Sequence, residues 1–179
     1  MAEAFSNSLT RAAGIQTSYS GSTIGAAGTS ITVTAATGIG VSHLVSNANF
    51  IAGTKVQQID GTTIYTDRAS TNTASATSQI VEFLGVTTAY TSPSGTKAIL
   101  VGGTFANNTT SQVNLTVEVF DQSGDKTVGI AHKIPVPTGS SFVISDAGKT
   151  LLEGLDEVRV YSDTAGAIDV NLSILTGVS

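Results

Sequence analysis

Two histidines, thirteen carboxylates and no cysteine are the groups from which any chemistry of this 179-residue chain would have to be built. A Ser-His-Asp hydrolase needs its serine on a strained elbow of the G-x-S-x-G kind, and the chain has none. The spacing of His43 and His132 supports no two-histidine metal site. Asp121, Ser123 and Asp125 in DQSGD place oxygen ligands at alternate positions, as the start of a calcium loop does. The bidentate acid further on is missing and Lys126 follows, so the stretch reads as a polar hairpin turn. Glu153, Asp156 and Glu157 cluster in EGLDE. Paired carboxylates cleave glycosides when held apart across a sugar, whereas neighbours on one turn are ordinarily solvated, and a glycan hydrolase is the weakest of the readings weighed. AGKT at 147–150 lacks the upstream glycine and the strand-to-helix context of a phosphate loop. The expectation is no catalytic residue, no metal, no cofactor and no enzyme activity.

Aromatic rings offer binding rather than catalysis. Tyr65, Phe120 and Tyr161 fall on the polar phase of their strands. Rings so placed stack on sugars or seal subunit interfaces, and the interface is the preferred reading. A carbohydrate- or receptor-binding module, with a host-surface glycan as partner, is the alternative.

These groups must be positioned by strands. Val113–Val119, VNLTVEV, alternates strictly, with Val113, Leu115, Val117 and Val119 on one face and Asn114, Thr116 and Glu118 on the other. Ile168–Leu175, IDVNLSIL, repeats the signature. Two such half-buried strands with shorter ones between predict an all-β protein, an antiparallel β-sandwich of jelly-roll-like form. A hydrophobic content of 40% can fill its core. The net charge of −5 leaves no basic footprint for phosphate backbones, so nucleic acid is not an expected partner. No run reaches membrane-spanning length and no secretory signal is visible at the start, so no membrane partner is expected either.

The sequence divides into three parts. Residues 1–30 read as an N-terminal assembly arm and linker: Phe5, Leu9 and Ala12 or Ala13 recur at spacings of three and four, as on a short helix over Ala2–Gly14. Residues 31–85 read as an inserted small β module. Its clearest feature is KVQQI and TTIYT meeting across Asp60-Gly61, a tight-turn signal. QIVEFL at 79–84 is apolar on both faces and is expected to be sandwiched. Residues 86–179 form the sandwich. The echo between IQTSYS (15–20) and VTTAYT (86–91) suggests that the material between was inserted into a continuous chain. Gly102-Gly103 predicts a bulge or a close backbone approach. Pro135 and Pro137 in IPVPTG each lack an N–H, so that stretch belongs at a sheet edge or crossover.

The start AFSNSLTRAAG, then TTAYTSPSGTKAILVGGTFANNT, VNLTVEV, KIPVPTGSSFVIS, KTLLEGLDEVRVYSD and DVNLSIL resemble, in order and pattern, small β-rich virion proteins of tailed bacteriophages, especially those infecting cyanobacteria. FIAGTKVQQIDGTTIYTDRAST is similar to a short β motif of phage structural and bacterial surface proteins. The resemblance implies a structural subunit of a phage particle, a head decoration or a neck- or tail-associated protein, located in the virion and partnered by its own copies and other virion proteins. It brings no set of functional residues. Phe5, Leu9, Tyr65, Phe120, Pro135, Pro137 and Tyr161 are the expected interface or ligand-stacking positions.

Overall fold

The computed structural model describes residues 3–145 and 149–178. These form β1 (Ala4–Ala13), β2 (Ile15–Ile24), β3 (Ser30–Thr32), β4 (Leu44–Ser46), β5 (Val56–Asp60), β6 (Thr63–Thr66), β7 (Ala76–Gly85) and β8 (Thr87–Thr91). The chain continues through β9 (Lys97–Asn107), β10 (Val113–Asp121), β11 (Lys126–Val136), β12 (Ser141–Ile144), β13 (Thr150–Leu152), β14 (Glu157–Ser162) and β15 (Ile168–Val178). No helix occurs among the described residues. Two compact units result, one from residues 1–15 and 86–179, the other from residues 16–85.

The first unit is a sandwich. One sheet runs β1-β15-β9-β12 with β13 also on β9, and the other runs β11-β10-β14-β8. Counting β12 and β13 as one interrupted strand, the first strand pairs with the last, the second with the second-last, and so inward to the β10-β11 hairpin. That nesting is the jelly-roll arrangement of two Greek keys. The two alternating strands do what their patterns demand. Val113, Leu115 and Val117 from one sheet and Ile168, Val170, Leu172 and Ile174 from the other lie buried in a shared core with Phe105 and Val160. Each such side chain stabilises by about 2 kcal/mol, an upper figure because the unfolded chain already hides part of its surface. Both readings of Gly102-Gly103 hold. Val101 is the extra residue of a bulge opposite β15, and a Cβ on Gly102 would lie 2.9 Å from the Ile144 carbonyl oxygen. Pro135 sits in β11, which ends its sheet, as a residue without an N–H must.

The N-terminal segment is a strand, not the expected helix. A spacing of four places Phe5 and Leu9 on one face under either period, and pairing with β15 from Ala4↔Thr176 to Thr10↔Val170 decides for the strand. Residues 3–15 are thus part of the sandwich and not a separate arm.

The second unit begins at residue 16 rather than 31, because β2 is built into it. Its sheet runs β4-β7-β2-β3-β6-β5. The two end strands are themselves stitched by Ser42 N–H to the Val56 carbonyl (2.8 Å), Val56 N–H to that of His43 (2.9 Å) and Val45 N–H to that of Thr54 (2.8 Å), so the sheet closes into a small barrel. Ile24, Ile31, Val45, Phe50, Ile64, Val81 and Phe83 fill it. The tight turn sits one residue later than the sequence suggests. Asp60 pairs with Thr63, leaving Gly61-Thr62 as the two-residue loop with Gly61 at φ 57°. Positive φ at the first loop residue alone is the type II′ hairpin. In β7, Val81 and Phe83 point inward, but Ile80 is 61% exposed, so the strand is not covered on both faces along its length. Exit and return of the chain at the sandwich lie together, with Gly14 N–H donating to Thr87 Oγ1 at 2.8 Å, as an insertion requires.

One carboxylate ties together an end of the sandwich. Asp156 is buried, its Oδ1 accepting the Gln122 N–H (3.1 Å) and its Oδ2 the Glu153 N–H (2.9 Å), while its carbonyl accepts the Ser92 N–H (2.9 Å). Three loops therefore converge on one residue, two of them through its side chain. Asp156→Ala leaves two backbone donors unpaired and should cost about 3 kcal/mol. Urea unfolding of the full chain checks this, with Asp156→Asn, which keeps one good acceptor, expected to lose less.

Candidate assembly surface

Directly paired residues of an antiparallel sheet share a face, so the registers define the outer surface of the five-stranded sheet. One row across it is Phe5, Leu175, Ile99 and Leu151. A second is Leu9, Asn171, Thr104 and Val143. Between them lie Asn7, Ser173 and Gly102. None of these side chains ionises. Phe5 is 76% exposed, Leu9 73%, Val143 54% and Leu151 52%.

Strand β1 is inverted with respect to its sheet. Its inward phase is Ala4, Ser6, Ser8 and Thr10, and its outward phase carries the large apolar groups. Ser8 Oγ donates to the Ala89 carbonyl at 2.6 Å, which spends the inward hydroxyl on the opposite sheet. At the far end of this face Leu9, Arg11, Asp169 and Asn171 line an open groove of about 560 Å³. Asp169 is already occupied there, its Oδ1 accepting from the Ala12 N–H (2.8 Å) and from Asn108 Nδ2 (3.2 Å).

Of the other sequence-derived positions, Tyr65 belongs to the barrel unit and the rest to the sandwich. Tyr161 lies on the polar phase of β14 but is only 6% exposed, donating its hydroxyl to Glu118 Oε1 at 2.8 Å. Burial first, then the Glu118 hydrogen bond and charge, push this phenol far above its usual range. The face of the Phe120 ring is covered by the Arg159 guanidinium at 3.8 Å, and Arg159 is in turn held by Glu157 at 2.7 Å. Tyr65 is half-buried in the barrel unit, paired with Ser30 and Gln58. Within the sandwich, Tyr161 and Phe120 form no open stacking platform of the sort expected of a sugar site. Pro135 and Pro137 are exposed on and just beyond β11.

The acidic motifs serve local structure. Asp121 accepts from Gly124 N–H (2.9 Å) and Ser123 Oγ (2.8 Å), bonds that hold its carboxyl below the usual carboxylate range, the Gly124 bond foremost. Within EGLDE, Asp156 staples loops, Glu157 holds Arg159 and accepts from Thr88 Oγ1 (3.1 Å), and Glu153 is exposed. Among the described residues no three histidine or acidic side chains gather as a metal site. Residues 147 and 148 of AGKT lie outside the described residues. Leu151, Val143, Ile99 and Leu175 are surface positions that the sequence reading did not single out. The signal was available in FVIS and KTLL, short strands that are apolar in both phases although a sandwich covers only one.

His43 is structural. Its Nδ1 accepts the Gly40 N–H at 3.2 Å, and a Cβ on Gly40 or on Gly85 would fall 2.8 or 2.9 Å from Nε2. Burial lowers its pKa from the ordinary 6.5. The neutral ring is therefore the one that fits, and the unfolded chain binds a proton the folded chain refuses. The sign follows: stability is complete above pH 6.5 and falls as pH drops toward the lowered folded value. Thermal melts from pH 7.5 to 5 should show this loss, and His43→Gln should flatten it.

No protein family, curated protein or solved structure matches the chain.

Proposed function

We propose that the chain is a non-enzymatic structural subunit of a tailed-phage virion, present in repeated copies as a head decoration or a neck- or tail-associated protein. The observation that carries this reading is the outer face of the five-stranded sheet, where Phe5 and Leu151 are exposed with Leu175 and Ile99 half-buried between them in one apolar row, and the Asn7–Ser173–Gly102 and Leu9–Asn171–Thr104–Val143 rows on one side of it carry no ionisable group. Contiguous exposed apolar surface of this kind marks an interaction site in a soluble chain. The nested two-sheet topology supports the reading, since coat subunits of viral particles are frequent users of the jelly roll. The resemblance of the sandwich strands to phage virion proteins points the same way. Engagement of Tyr161 and Phe120 within their own sheet favours this reading over glycan binding, for which Tyr65, Phe120 and Tyr161 were the expected rings.

The test is mass spectrometry and antibody-gold labelling of density-purified particles, with antibody raised against the recombinant chain. Peptides of the chain in stoichiometric amount, with label at regular positions, are expected. Complete absence of its peptides from intact particles overturns the reading.

A further inference from the structure

The four sheet edges of the sandwich are not alike. Strand β11 carries Pro135, Lys126 and Lys133 and is broken by bulges, β12 and β13 are short and interrupted, and β8 is five residues long with Pro93 just beyond it. Proline, lysine, bulges and brevity are the devices that prevent edge-to-edge pairing. Strand β1 has none of them from Ala4 to Thr10, where its register with β15 is unbroken. It ends its sheet, so one row of its backbone N–H and C=O groups has no strand partner among the described residues.

The side chains along that edge read the same under a two-fold axis. Counting outward from Asn7, Phe5 stands opposite in position to Leu9, and Glu3 to Arg11; on the other phase Ser6 matches Ser8 and Ala4 matches Thr10. All of Glu3, Phe5, Asn7, Leu9 and Arg11 are exposed. We infer that β1 pairs antiparallel with β1 of a second copy about an axis through Asn7, joining two five-stranded sheets into one of ten. This deepens the assembly reading above and rests on it. In that register each apolar outward residue meets an apolar one, Glu3 of each copy meets Arg11 of the other, and only small side chains face inward. Isologous contact of this kind requires a self-complementary patch, and the alternation of acid, apolar, polar, apolar and base supplies it. The inverted pattern of β1 is explained as well. Its large apolar groups extend the outer-face rows across the axis rather than fill the sandwich core.

The absence of native cysteine makes the test direct. Paired residues at an antiparallel axis lie about 4.5–5.5 Å apart at Cα, within the span of a disulfide. Full-length Asn7→Cys is expected to oxidise to a disulfide dimer at micromolar concentration. Phe5→Cys or Leu9→Cys alone should cross-link poorly, whereas a mixture of the two should cross-link well. In sedimentation, Glu3→Arg should weaken dimerisation about tenfold and the double change Glu3→Arg with Arg11→Glu should restore it, because the charges then meet again with signs exchanged. Cross-linking of Phe5→Cys to itself with none for Asn7→Cys, or a double change no better than the single, overturns the register. If the chain is found in particles while Asn7→Cys stays reduced and monomeric, the β1 pairing falls and the virion reading stands. If the chain is both monomeric and absent from particles, both fall.

Discussion

The antiparallel pairing of β1 with β15 is the constraint on which the rest of the sandwich depends. It sets Ala4 against Thr176 and Thr10 against Val170, so the two ends of the chain must meet before the five-stranded sheet is complete. The next pairs nest inside this outermost one, and the core residues of β15 are covered on their exposed flank only when β1 is in place. Because the barrel unit intervenes between β1 and β8, the sandwich also needs the exit and return points held together, which the Gly14–Thr87 hydrogen bond does. Closure of the barrel on itself makes that possible without leaving further free edges.

Much of this was legible in the sequence because it follows a period of two. VNLTVEV and IDVNLSIL appear as the buried strands their alternation requires, and Pro135 lies at an edge because it can lie nowhere else in a sheet. The N-terminal strand was not legible. Phe5 and Leu9 are four apart, a spacing common to a helix face and a strand face, and the partner that decides between them is at the opposite end of the chain. The barrel was partly hidden for a different reason: β3 and β4 are three residues long, too short to show a period, and the closure runs through backbone bonds to which side-chain pattern is blind. Burial of Tyr161 on the polar phase of its strand follows neither rule; its hydroxyl partner Glu118 comes from the neighbouring strand. The candidate surface was half legible, since Phe5 and Leu9 stood out as apolar while their company across the sheet emerges only from register.

Charge is absent from the middle of the expected contact face and present at its ends and where loops need fixing. Asp156, Asp121, Asp169 and Glu157 are all engaged in hydrogen bonds within the sandwich, whereas the middle of the outer face of the five-stranded sheet, between Glu3 at one end and Arg11 and Asp169 at the other, is lined by Phe, Leu, Ile, Val, Asn, Ser and Thr. Uncharged surface is cheap to desolvate, and hydroxyl and amide groups can exchange water for a neighbour's backbone. A surface of this make-up suits repeated contact between identical subunits, with specificity set by strand register and by the few charges at the end of the row.

Hydrogen exchange of the full chain, followed by mass spectrometry across a hundredfold range of concentration, tests the central claim that β1 and its outer face are the assembly surface. The account expects amides of Ala4–Thr10 to slow at least tenfold as concentration rises, while those of β7 within the barrel stay unchanged. Exchange in β1 that is fast and independent of concentration would contradict it.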